Sequence, residues 1–301
     1  MAKKKKAPFI FFLLMSVSGT GVMLYPTVSD QINSFRQTKA IAAYHTELSQ
    51  ASDVKLQSIM AEAQHYNQEL QSVGGGVAAA GSEVLHAEYN DTLKLDVSDV
   101  MGYIEIPKIN VYLPIFHGTD QSTLAAGVGH LEGTSLPVGG ENTHAALSGH
   151  RGLPTAKLFT NLDKLETGDI FMIHVLNQTL YYEVESIDTV LPDQVDELSI
   201  EPGKDLVTLI TCTPYGVNTH RLLVTGSRIT DTELPETMIP LAAPLQPVDW
   251  QHQPIKFPFQ SQVLLAGAAL ALVIKIILEL RHRRLKEECV RVKRHGAHNL
   301  A

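Results

Sequence analysis

The sequence predicts a mainly β domain, a sandwich or a closed barrel, set behind a helical segment and between two apolar stretches. Three observations carry this. From about Val100 to Ile229 short apolar runs alternate with turn residues. No proline occurs between Pro26 and Pro107, which permits long helices there. The charge lies in blocks along the chain: basic, apolar, acidic, apolar, basic.

The totals already exclude several classes. The 301 residues hold 24 Lys and Arg against 32 Asp and Glu, a formal net charge of -8. A nucleic-acid binder presents a basic stripe, so nucleic acid is not an expected partner. An apolar share of 44% is too high for wholesale disorder and too low for a many-span membrane protein. Two cysteines exclude a disulfide-dense scaffold and Cys-rich zinc modules.

The N-terminus opens with Lys3 to Lys6, and Ala7–Tyr25 follows without a charge. A helix needs about 20 apolar residues to cross a bilayer, and lysines stay on the cytoplasmic side. The stretch therefore reads as an uncleaved anchor. The competing reading is a secretory signal peptide, but the run is long for one and Ser-Gly-Thr-Gly is a poor cleavage site.

Residues 29–72 read as helix. Ser29-Asp30 can cap it, and Ser52-Asp53 can restart a second helix with Leu56, Ile59, Met60, Ala63, Tyr66 and Leu70 on one face. The Gly74–Gly81 stretch, rich in Gly and Ala, is a linker. Strands are expected at Gly102–Ile106, Val111–Ile115, Ala145–Ser148, Ile170–Val175, Leu180–Ile187, Leu206–Thr211 and Leu222–Ile229, with a short helix at Ala156–Leu162.

Pro235, Pro240, Pro244 and Pro247 mark an extended connector. Val263–Leu280 then reads as a second span, interrupted only by Lys275 and Glu279. The alternative is an interfacial helix, but Lys275 can snorkel toward the headgroups. The basic tail from Arg281 onward follows the positive-inside rule as well. Residues 29–262 hold 12 Lys and Arg against 29 Asp and Glu. The expectation is a cell-membrane protein with two spans, an acidic extracellular domain and both termini cytoplasmic.

The chemistry gathers at Cys212. It follows the apolar strand Leu206–Thr211, and Cys289 lies in the basic tail. Two spans would separate these cysteines. A lone thiol outside the cell reads as reactive, or as an inert buried Cys in an apolar strand. Pro214, Tyr215 and Gly216 form a turn, so Cys212 and Arg221 can face each other across adjacent strands. A nearby guanidinium favours thiolate and can steady an oxyanion.

A thiol nucleophile needs an acid–base partner. His150, in Ser148-Gly149-His150-Arg151-Gly152, sits at a strand end beside glycines. His144 lies at that strand's start, and alternation turns His220 away from Arg221's face. Each histidine also has a plain structural reading, and spacing ranks His150 first. The metal-binding pairs His-Glu-x-x-His and Cys-x-x-Cys are absent from the sequence, and no metal or cofactor is implied.

Thr208-Leu209-Ile210-Thr211-Cys212 resembles the Thr-Leu-x-Thr-Cys signature of sortases, the surface-protein transpeptidases of Gram-positive bacteria. The string Thr211 to Leu222, the block Gly129-His130-Leu131-Glu132-Gly133-Thr134-Ser135-Leu136-Pro137 and the block Ser148 to Pro154 are similar to the class C, pilin-polymerising branch. The resemblance covers roughly residues 100–230, with three blocks matching in order.

It implies a closed β-barrel of about eight strands with short helices. It implies His150, Cys212 and Arg221 as the catalytic set, with no cofactor and no metal. The implied substrate carries a Leu-Pro-x-Thr-Gly-like sorting signal, and the implied partners are pilin subunits or other surface proteins bearing one. Two other functions remain: a sortase joining proteins to a peptidoglycan amine, and a non-catalytic binding module.

Most class C members also carry an Asp-Pro-aromatic lid. No Asp-Pro occurs between Pro26 and Pro107, so no lid residues are carried over, and Glu88-Tyr89 is the nearest imitation of a plug. The expected organisation is an anchor over 1–28, a helical region and linker over 29–99, and the barrel over 100–230. A connector over 231–262, a second span over 263–280 and a tail over 281–301 complete it.

Overall fold

The computed structural model describes residues 7–72, 88–194 and 196–230, with Lys275, Glu279, Arg281 and His282 beyond them. The chain divides into two units, Met1–Val28 with Pro254–Ala301, and Ser29–Gln253. The second unit carries the barrel.

Helix α1 runs from Ala7 to Gln50 with Pro26 inside it, and α2 follows from Asp53 to Ser72. The Ser52 hydroxyl accepts from the Lys55 amide, which is the expected restart. The expected apolar face of α2, Leu56 to Leu70, is buried.

The two expected membrane spans are corrected. Among the described residues, no helix is long and apolar enough to cross a membrane. The stretch Ala7–Tyr25 is not a separate helix. It is the first part of a 44-residue helix that continues into a polar segment holding Asp30, Arg36, Lys39 and Glu47. Val263–Leu280 lies outside the described residues except at Lys275 and Glu279, both helical and both charged. The two-span topology with both termini cytoplasmic falls with the spans.

Eight strands follow: β1 Val100–Ile106, β2 Val111–His117, β3 Val128–His130, β4 Thr143–Ser148, β5 Ile170–Val175, β6 Gln178–Val190, β7 Asp205–Thr213 and β8 His220–Ile229. They close into a barrel in the order β1-β2-β3-β4-β7-β8-β6-β5. The pairs β2/β3 and β4/β7 are parallel, and the others are antiparallel. Closure leaves no unpaired edge.

Strand alternation sorts side chains into separate clusters. On β5, Phe171, Ile173 and Val175 enter the main core, while Ile170 and Met172 join Tyr181 and Ile229 in a second cluster. On β4, Ala145 and Leu147 face the main core. Ala146 instead meets Leu198, Ile210 and Leu223 beneath the 3-10 turn Asp196–Leu198.

The helices dock on the barrel through buried polar groups as well as apolar ones. The Tyr44 hydroxyl donates to Met101 O at 3.2 Å and accepts from the Leu176 amide at 2.7 Å. The Asn67 side chain donates to Leu136 O and accepts from the Leu136 amide. Each bond satisfies a barrel backbone group that strand pairing leaves over.

Two local expectations differ from the structure. Ala156–Leu162 is not a helix: it is a run of turns ending in a 3-10 turn at Leu162–Lys164. The short helix is instead α3, Gln121–Ala126, where the Asp120 carboxylate accepts from the Ser122 and Thr123 amides. The Gly/Ala linker and the Pro-rich connector lie outside the described residues, as does Cys289.

Candidate active site

The site lies where β4, β7 and β8 end together. Parallel pairing of β4 with β7 sets Ser148 opposite Ile210. Two residues further along each chain come His150 and Cys212, at the same end of the barrel. On the other side of β7, antiparallel pairing places Cys212 directly opposite Arg221. The expected juxtaposition across adjacent strands is present, and β4 adds His150 to it.

Local bonds hold these ends. The Gly149 amide donates to Ile210 O at 3.0 Å. The Thr211 hydroxyl donates to Gly149 O at 2.7 Å. The buried ring of Phe159 lies against Gly149, and a Cβ there would approach it to 2.6 Å, so the position requires glycine. The Phe159 amide in turn donates to His150 O.

Cys212 is a free thiol and half-buried. His150 is half-buried too, and that burial lowers its pKa below the ordinary histidine value. That lowering favours the neutral imidazole. The Arg221 guanidinium donates through Nη1 to His220 O at 3.2 Å, which keeps it on the β7–β8 turn. A thiol, a neutral imidazole and a guanidinium at one rim make a constellation suited to acyl transfer.

His144, His220 and His130 are engaged elsewhere. His144 is buried: its Nδ1–H donates to Ser199 O at 2.8 Å and its Nε2 accepts from the Thr208 hydroxyl at 2.7 Å. The His220 ring pairs with the Thr219 hydroxyl. His130 is fully buried between Tyr89 and Ser135 O. Among the described residues, no group of three His, Cys, Asp or Glu side chains is placed to hold a metal.

The family model for the sortase domain matches residues 104–229. Sortase D of Bacillus subtilis is 32% identical over 147 residues, covering 48% of this chain and 71% of that protein.

The chain belongs to the sortase family.

Solved sortases agree with this. Sortase C1 from Streptococcus agalactiae is 46% identical, with a TM-score of 0.62 over 64% of this chain and 99% of that one. A sortase C from Clostridium perfringens, solved with the C-terminal cell wall sorting motif, is 45% identical with a TM-score of 0.56. It covers 64% of this chain and 98% of that one. This sortase therefore has class C neighbours, and it is a sortase transpeptidase.

His150, Cys212 and Arg221 are the residues the sequence singles out, and Arg151 lies beside them. In the sequence Arg151 stands out only as part of the block Ser148 to Pro154. Its side chain is 7% exposed, and its Nη2 lies 2.6 Å from Asp163 Oδ2. A charged residue next to a candidate catalytic histidine, with a carboxylate in the following turn, was the available signal.

Proposed function

We propose that this sortase cleaves a Leu-Pro-x-Thr-Gly-like sorting signal and transfers the new carboxyl end to a lysine amine of a pilin subunit, polymerising pilins. The observation that supports the reading is the pairing of Cys212 with Arg221 at the barrel end where β4 delivers His150. The pilin acceptor follows the similarity to the class C branch and to the sortase C neighbours.

In this reading Cys212 gives its proton to the neutral His150 imidazole, and the thiolate attacks the Thr carbonyl carbon of the signal. The Arg221 guanidinium steadies the oxyanion that forms. As the C–N bond breaks, His150 returns the proton to the departing Gly amine, leaving a thioester on Cys212. An incoming amine then attacks the thioester carbonyl and loses a proton to His150. The amide forms and the thiol is restored. Two half-reactions through one thioacyl-enzyme predict ping-pong kinetics.

The test mixes the purified sortase with candidate pilins and looks for ladders that resist sodium dodecyl sulfate. Wild-type protein is expected to form them, and Cys212→Ala to form none while keeping its fold. Ladders from Cys212→Ala would rule out the thioacyl route. Transfer to a peptidoglycan-type amine without any ladder would replace the pilin acceptor with a cell-wall one.

A further inference from the structure

We propose that Arg151 is a positioning residue for this transfer: its guanidinium holds the strand end that carries His150 at the level of the strand end that carries Cys212. This rests on the catalytic reading above and adds a residue to it.

On one side of the pair the two ends are joined by the bonds of Gly149. These run from the Gly149 amide to Ile210 O and from the Thr211 hydroxyl to Gly149 O. The nearer of the two, from Thr211 to Gly149, stops one residue short of His150 and Cys212. The far side is closed by Arg151, which follows His150 directly. Its Nη1 donates to the Thr213 hydroxyl at 3.3 Å, and Thr213 follows Cys212 directly. The contacts 149–211 and 151–213 thus bracket the pair 150–212.

Further contacts fix the bracket itself. Asp163, in the turn Leu162–Lys164, holds Nη2 at 2.6 Å. The guanidinium carbon lies 5.9 Å from the centre of the Tyr215 ring. That ring packs on Gly152, whose φ of +75° suits glycine and where a Cβ would stand 3.1 Å away. One planar group therefore ties the β4 exit, the 162–164 turn, the end of β7 and the β7–β8 loop.

Stability alone is a poor reason for this side chain. Its Nε is buried with no hydrogen-bond partner, and a buried unpaired N–H is unfavourable. Apolar residues of similar volume commonly replace such buried charges without loss of stability. What an apolar residue cannot supply is a fork that reaches Asp163 and Thr213 together, and lysine, a single point charge, cannot supply it either.

The test uses the full chain with a sorting-signal peptide and an amine acceptor, and compares Arg151→Lys, Thr213→Val and Cys212→Ala with wild type. All are assayed well below the lowest melting temperature, with folding checked by circular dichroism. Misplacing reacting groups by about 1 Å costs on the order of 100-fold in rate. Arg151→Lys is expected to lower kcat by about that factor and Thr213→Val by about tenfold, with KM changed less than about threefold. Wild-type kcat in both variants, or a fall in melting temperature alone, would overturn the positioning role while Cys212→Ala stays inactive. Activity in Cys212→Ala would instead remove the catalytic reading beneath it.

Discussion

Two histidines six positions apart, one on β4 and one just beyond its end, have different fates. His144 donates and accepts inside the barrel wall, whereas His150 emerges at the rim with its pKa lowered by partial burial alone. His150→Ala is expected to slow transfer by about 10²–10⁴-fold with little change in stability. His144→Ala is expected to leave the Ser199 carbonyl short of a partner, costing about 1–3 kcal/mol of stability, with a much smaller effect on rate, while the Thr208 hydroxyl keeps its bond to Thr225. Transfer rates and urea unfolding on both variants separate these outcomes, and equal catalytic losses would defeat the assignment.

His130 carries a pH dependence of its own. Burial lowers its pKa from 6.5 to about 4, and the Nε2–H bond to Ser135 O offsets this only in part. The folded state therefore binds fewer protons than the unfolded chain between those values. Stability from this group is fully present above about pH 6.5 and is lost as pH falls toward 4, by up to about 3 kcal/mol. Urea unfolding at pH 7 and pH 4.5 is expected to show the loss, and His130→Gln to reduce it. An unchanged pH slope in that variant would assign the loss to other groups.

At the scale of elements, the strands were readable because β-branched and aromatic residues alternate over enough length. Ile170–Val175 matches its expected bounds, and six others extend theirs by a few residues. Val128–His130 escaped because Val-Gly-His is too short to show a period. The expected helix at Ala156–Leu162 failed because Leu158 and Phe159 are apolar for a different reason: they fill the core beside Gly149. The facing of Cys212 and Arg221 was legible from a turn between two strands. Its alignment with His150 was not, because parallel pairing of β4 and β7 is a long-range choice that neither strand's sequence records.

Tyr89 belongs at this scale too. As half of Glu88-Tyr89 it was the imitation of a plug, but the structure commits it to the docked helical layer. It is 1% exposed, donates to His130 Nδ1 at 2.9 Å and accepts from the Gly118 amide at 2.9 Å. Tyr89→Phe is expected to cost about 1–3 kcal/mol by leaving the Gly118 amide unpaired. It is also expected to change the rate of Cys212 labelling by a thiol reagent less than about threefold. A tenfold acceleration would return Tyr89 to the role of a lid.

At the scale of the molecule, the barrel and its docked helices share one core. Ile41 and Tyr44 of α1, the buried face of α2, Tyr89 and the inward residues of the strands form a single contiguous cluster. The joints are polar as well: Tyr44 satisfies the Leu176 amide, and Asn67 satisfies both backbone groups of Leu136. A barrel without the helices would leave the Leu176 amide and both Leu136 groups unpaired, each group costing about 1–3 kcal/mol against a domain stability of about 5–15 kcal/mol. A chain cut to residues 29–230 is therefore expected to unfold in one transition, with calorimetric and van't Hoff enthalpies equal. A chain cut to residues 88–230 is expected to melt much lower or to aggregate, and to lose Cys212-dependent transfer with its fold. Equal melting temperatures for the two would show that the barrel stands alone, and would reduce α1 and α2 to an appendage.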